Sequence, residues 1–129
     1  MLTGVLDELV AAESPFVLQL KGTGAFPTAG PARVLWVGLR DDDGCRRLLA
    51  LQRRLEERIR KLGWQAESRA YHPHLTLGRL RRQAPPPVGD WKQHTPKPVA
   101  IPVHELVLIR SDLQDSGGHY TNLHAAGLG

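Results

Sequence analysis

The chain has almost no cysteine: its 129 residues contain one, Cys45. That excludes an internal disulfide and fits a reducing compartment. Aromatic residues are scarce at 5%. Trp36, Trp64 and Trp91 are dispersed, so a stacking platform for single-stranded RNA is not evident. No apolar run is long enough to cross a bilayer. No basic flank precedes the first apolar residues, so a signal peptide is not expected and the cytoplasm is the default. Asp41-Asp42-Asp43-Gly44 lacks the alternating ligands and closing glutamate of a calcium loop. Its commoner reading is an acidic turn into a helix, where carboxylates suit the positive end of the helix dipole.

Hydrophobic residues make up 41% of the chain, enough for one small globular core over residues 1–129. The net charge of +4 and pI near 9.7 lean modestly toward anionic partners such as RNA. Solvated arginines alone would produce the same bias. Residues 2–12 read as an amphipathic helix with Val5, Leu6, Leu9 and Val10 on one face, ended by Pro15. Residues 16–20 read as a strand, the glycine- and proline-rich residues 22–31 as a loop, and residues 34–39 as a buried central strand. Residues 45–62 form the clearest helix, with an apolar stripe of Leu48, Leu49, Leu51, Leu55, Ile59 and Leu62 and a stop at Gly63. Its other face carries Arg46, Arg47, Arg53, Arg54, Arg58, Arg60 and Lys61. A solvated face paired with Glu56 and Glu57 is a commoner explanation for these than RNA binding. Residues 81–98 are a polar, proline-rich connection. Residues 103–110 read as one strand and 119–124 as its hairpin partner across Asp115-Ser116-Gly117-Gly118.

The chemistry is concentrated in Tyr71-His72-Pro73-His74-Leu75-Thr76-Leu77-Gly78-Arg79. A period of two puts Leu75 and Leu77 on a core face and His74, Thr76 and Gly78 on the other. Histidine transfers protons near neutral pH. Thr76 can donate to an anionic oxygen over the same face. Arg79 offers charge suited to phosphate, although strict alternation places it on the leucine side unless the strand ends or twists there. His72 and His74 invite a zinc reading, which the intervening proline and the missing third ligand weaken. His94, His104 and His124 read as surface histidines.

His74-Leu75-Thr76-Leu77-Gly78-Arg79 resembles the second signature of the two-histidine phosphoesterase superfamily, His-x-Thr/Ser between apolar residues. It is most similar to that family's bacterial branch, the LigT-like RNA 2′,3′-cyclic phosphodiesterases, also called 2′-5′ RNA ligases. Residues 16–27, 33–39 and 106–120 resemble further blocks of that branch in the same order. The resemblance implies an α+β fold, with a mostly antiparallel sheet forming a concave cleft and helices packed outside. It implies a metal-free hydrolase with no cofactor. In that chemistry one imidazole activates water while another protonates the leaving ribose oxygen, opening a 2′,3′-cyclic phosphate to a 2′-phosphate. His74 and Thr76 would be its catalytic residues and Arg79 a substrate-binding one. Whether His74 is acid or base stays open.

The family's first His-x-Thr/Ser is expected upstream of Phe16, and no such motif lies between Met1 and Phe16. The chain is therefore expected to be an N-terminally truncated LigT-like domain: a fragment of a full enzyme, a member that binds RNA ends without turnover, or a subunit that pairs two His74 motifs. An incomplete N-terminal lobe would leave a sheet edge unpaired and favour a homodimer. His119-Tyr120-Thr121 also spells His-x-Thr, and coincidence is its commoner explanation. A small RNA-binding module and a metal-dependent hydrolase are the alternatives from other classes.

Overall fold

The structure is a computed structural model that describes residues 1–26, 33–79, 95, 97–114 and 117–129. Residues 27–31 of the loop expected over 22–31, the proline-rich connection through residue 94 with Trp91 and His94, and Asp115 and Ser116 lie outside the described residues. In chain order the elements are α1 (Leu2–Ala11), β1 (Phe16–Phe26), β2 (Val34–Leu39), α2 (Asp43–Lys61), β3 (Leu75–Arg79), β4 (Ala100–Val103), β5 (Glu105–Gln114) and β6 (Gly117–Gly127). The α+β class is borne out, with antiparallel pairing of β1 with β2, β2 with β3 and β5 with β6. No helix among the described residues is long and apolar enough to cross a membrane. The chain divides into two compact units, residues 1–16, 47–68 and 102–129 in one and residues 17–46 and 69–101 in the other.

In the first unit α1 buries Val5, Leu6, Leu9 and Val10, the face its periodicity predicts. Val5 and Leu9 pack with Leu51 and Leu55 of α2, and each such buried side chain stabilises by about 1.5–3 kcal/mol. The arginines of α2 do not pair along their own helix as expected. Arg54 donates to Glu13 at 2.7 Å, Arg47 reaches Glu13 at 3.5 Å and Ser14 at 2.7 Å, and Arg58 pairs with Glu8. Glu56 instead accepts the backbone N–H of Glu67. Glu8 of α1 and Glu13 of the segment after it outcompete same-helix partners because they approach from a packed neighbour, so less side-chain freedom is lost. Past the last turn of α2, Gly63 N–H donates to Arg60 O and Trp64 N–H to Ile59 O, with Gly63 at φ +102°. This is the left-handed glycine stop that the sequence suggests.

The β5–β6 hairpin belongs to the same unit and differs from expectation at both ends. Val103 closes β4 rather than opening the hairpin strand, and the chain leaves one sheet for the other at His104. Pro102 sits on β4, an edge strand, where a missing N–H costs no ladder bond. His124 is not a bare surface histidine: its Nε2 lies 2.8 Å from Asp7 Oδ1, tying β6 to α1.

The second unit holds a sheet in the order β3-β2-β1-β4. β1 runs to Phe26, through residues expected to form a loop. Its glycines serve the strand: Gly22 takes φ +77° where the β1–β2 register slips by one residue between Leu20 and Thr23. The acidic turn is a helix cap, as read. Asp42 Oδ1 accepts the Cys45 N–H at 3.0 Å, and Asp43 lies in the first turn. Gly44 lets this turn rest on β1, since a Cβ there would stand 1.9 Å from Val17 O.

Candidate active site

The site is built on one face of β1–β2–β3. Cross-strand partners point their side chains to the same side of a sheet. Gly24 and Phe26 of β1 stand opposite Trp36 and Val34 of β2. On β3, Thr76 stands opposite Trp36 and Arg79 opposite Val34. Trp36 and Val34 are two residues apart and share a face, so Thr76 and Arg79 share it too. Strict alternation forbids this, because 76 and 79 differ by an odd number. The register shift between Leu35 and Trp36 allows it, by leaving Leu77 as an extra residue on β3. The bulge therefore brings Arg79 round to the threonine side. The opposite face carries Ala25 and Val37, both 4% exposed, and forms the buried side of the sheet.

The expectation that Leu75 and Leu77 anchor a core is not met: they are 43% and 55% exposed. Among the described residues β3 is the outermost strand and pairs only with β2, so its apolar residues gain described neighbours from one side. His74 is not inside the strand either. It lies immediately before β3, on an exposed turn formed with His72 and Pro73.

That turn has a definite chemistry. His74 Nδ1–H donates to the carbonyl oxygen of His72 at 2.6 Å. A carbonyl only accepts, so the proton sits on Nδ1 and the neutral ring keeps its Nε2 lone pair for other work. His74 packs edge-on against Phe26, with ring centroids 5.3 Å apart, and lies 6.1 Å from Trp36. His72 packs on Trp36 at 4.7 Å and on Phe26 at 5.9 Å. Phe26 and Trp36 are themselves 5.4 Å apart.

Sequence reasoning named His74, Thr76 and Arg79 as candidates and did not name Phe26, Trp36 and Gly24. The available signal was a glycine set among strand residues, which marks close approach of another group. Trp36 supplies that group: a Cβ on Gly24 would lie 2.1 Å from Trp36 Cζ2.

Among the described residues no group of three or more His, Cys, Asp or Glu side chains is placed to hold a metal ion. Cys45 is buried, and its thiol is pushed above its ordinary range by burial first, then by the carboxylates of Asp41 and Asp42. A thiol held in its neutral form is a poor nucleophile. His119-Tyr120-Thr121 lies on β6, in the first unit, with His119 opposite Asp112.

The family model of the 2′-5′ RNA ligase superfamily matches residues 2–115. The chain belongs to this superfamily. Over 131 aligned residues it is 34% identical to the RNA 2′,3′-cyclic phosphodiesterase of Thermus thermophilus, covering 93% of this chain and 59% of that relative. The RNA 2′,3′-cyclic phosphodiesterase of Archaeoglobus fulgidus is 29% identical over 110 residues, with 84% and 60% covered. This superfamily member thus spans about 60% of the length of these curated relatives. Its fold matches a crystal structure from Thermus thermophilus with a TM-score of 0.69 and 30% identity, covering 97% of this chain and 67% of that one. It also matches E. coli LigT complexed with 3′-AMP, with a TM-score of 0.66, 26% identity, and 98% and 68% covered.

Proposed function

We propose that this superfamily member acts, as a single LigT-like domain over residues 1–129, on RNA ending in a 2′,3′-cyclic phosphate, opening the ring to a 2′-phosphate by proton transfer without metal or cofactor. The observation that carries the reading is the hydrogen bond from His74 Nδ1–H to His72 O, which leaves Nε2 as the nitrogen that exchanges a proton with the substrate. Water adds to phosphorus and gives up a proton. The bond from phosphorus to the 3′ oxygen breaks, and that oxygen takes a proton. His74 Nε2 serves one of these two transfers and a second group the other. Thr76 donates its hydroxyl hydrogen to a phosphoryl oxygen as charge grows there. Arg79, carried to the same face by the bulge, holds the phosphate. The relatives named RNA 2′,3′-cyclic phosphodiesterase support the substrate class, and the lone Cys45 supports a reducing, cytoplasmic setting.

The test is turnover of an oligoribonucleotide ending in a 2′,3′-cyclic phosphate by the wild-type chain, His74→Ala, and wild type with a chelator. The reading expects turnover in the first and third and none in the second.

A second reading rests on a specific observation: the only other His-x-Thr in the chain is His119-Tyr120-Thr121. If no second proton-transfer group serves His74, the same site holds RNA ends without opening them. Pairing of two copies along β3 would bring a second His74 within reach. The outermost place of β3 and the exposure of Leu75 and Leu77 support such pairing. A strictly monomeric chain at high concentration would end the dimer proposal.

A further inference from the structure

The imidazole that the proposed chemistry depends on lies on an exposed turn outside any strand. Its Nδ1–H partner is a backbone carbonyl, so its geometry depends on how the turn is held. Pro73 fixes its own φ and confines His72 to extended conformations. Those constraints orient the His72 carbonyl but do not anchor the turn to the sheet. The anchoring comes from ring packing by Phe26 and Trp36, each of which stands against the other and against both His72 and His74. Phe26 is the nearer to His74, at 5.3 Å, and Trp36 is the nearer to His72, the residue whose carbonyl accepts, at 4.7 Å.

Two facts show that Trp36 is seated by packing. Its ring lies over Gly24, where a Cβ would stand 2.1 to 2.5 Å from three of its atoms. Real Cβ contacts are never this short, so the ring takes this place only because residue 24 has no side chain. Its Nε1 is buried and has no hydrogen-bond partner among the described residues. Leaving a buried donor unpaired is costly, so the indole keeps this position through shape rather than through a polar tether.

We propose that Trp36, seated on Gly24, is a positioning residue for His74. The ring backs the His72-Pro73-His74 turn, keeps the His72 carbonyl within reach of Nδ1–H, and so fixes Nε2 as the nitrogen presented to substrate. This deepens the proposed function, on which its catalytic consequence rests. Free histidine rings favour the proton on Nε2, so losing the support should show first in the tautomer.

The full chain labelled with 15N reports the tautomer directly from the His74 ring nitrogens, at a pH where the ring is neutral. Wild type is expected to carry the proton on Nδ1. Trp36→Phe keeps a flat ring over Gly24 and forfeits no hydrogen bond, so it should keep the wild-type signature. Trp36→Leu and Gly24→Ala should shift His74 toward the Nε2–H form. Where turnover is present they should lower kcat roughly ten- to a hundredfold with little change in KM. If Gly24→Ala does not fold, the Leu and Phe variants decide. A folded Trp36→Leu protein whose His74 tautomer matches wild type overturns the proposal. The tautomer is read without substrate, so that failure is distinct from failure of the proposed function, which would show as turnover surviving His74→Ala.

Discussion

His74 donates its Nδ1–H to the carbonyl oxygen of His72, two residues back, at 2.6 Å. This bond sets which ring nitrogen faces outward, and it does so through the main chain. The His72 side chain is not the acceptor; its ring packs on Trp36 instead. The chemistry proposed for the chain starts from that arrangement and extends across β3 to Thr76 and Arg79.

Thr76 and Arg79 should fail differently. Thr76→Val removes a donor to a charged oxygen while keeping the branched shape. It should cost about 1.5–3 kcal/mol of transition-state stabilisation, roughly a 10- to 150-fold loss in kcat/KM. Thr76→Ser should recover most of it. Arg79→Ala should act mainly through KM and reduce the salt sensitivity of RNA binding. Steady-state kinetics at two salt concentrations separates the two. An Arg79→Ala protein with unchanged KM would mean that the bulge does not bring the guanidinium to the phosphate.

At the start of α2, removing the cap and filling the contact beneath it should have unequal costs. Asp42→Ala deletes the acceptor of the Cys45 N–H and should cost about 1 kcal/mol. Gly44→Ala places a Cβ 1.9 Å from Val17 O, a backbone atom that cannot swing aside, and should cost about 1–3 kcal/mol by overpacking. Urea unfolding midpoints compare them, and a Gly44→Ala chain as stable as wild type would contradict the close approach of Gly44 to Val17.

Stability should fall at alkaline pH. Burial, then the carboxylates of Asp41 and Asp42, raise the Cys45 pKa above its ordinary 9.0, and burial raises that of Tyr71 above 10.0. Each group is then more readily deprotonated in the unfolded chain than in the folded one. Its contribution is complete below about pH 9 and is lost as pH rises through the folded value. Denaturant midpoints measured at pH 7.5 and 10 should diverge, and Cys45→Ala should narrow the gap. An equal gap in the variant would remove the thiol from the account.

The elements with uninterrupted local signals were legible in the sequence. Leu51 and Leu55 lie in a stripe, Gly63 stops a helix, and Asp42 precedes one. Each signal and its physical cause lie within a few residues. What escaped depends on partners distant in sequence. Gly22 and Gly24 look like turn residues until β2 is placed beside β1, with the register slip at Gly22 and Trp36 opposite Gly24. Arg54 looks solvated until Glu13 arrives from the segment that follows α1. Leu77 looks like one more core residue of an alternating strand. As a bulge it flips the face of Arg79, and alternation alone gives no sign of the slip. His74 and Thr76 stand out as candidates because their chemistry is packed into three consecutive positions, whereas Trp36 comes beside them only across the sheet.

The most direct test of the central claim is turnover of an oligoribonucleotide bearing a terminal 2′,3′-cyclic phosphate, measured for the wild-type 129-residue chain beside a folded His74→Ala variant and with a chelator present. The account predicts a 2′-phosphate product from the wild type, none from the variant, and no effect of the chelator. Turnover that persists in His74→Ala, or that the chelator abolishes, would contradict it.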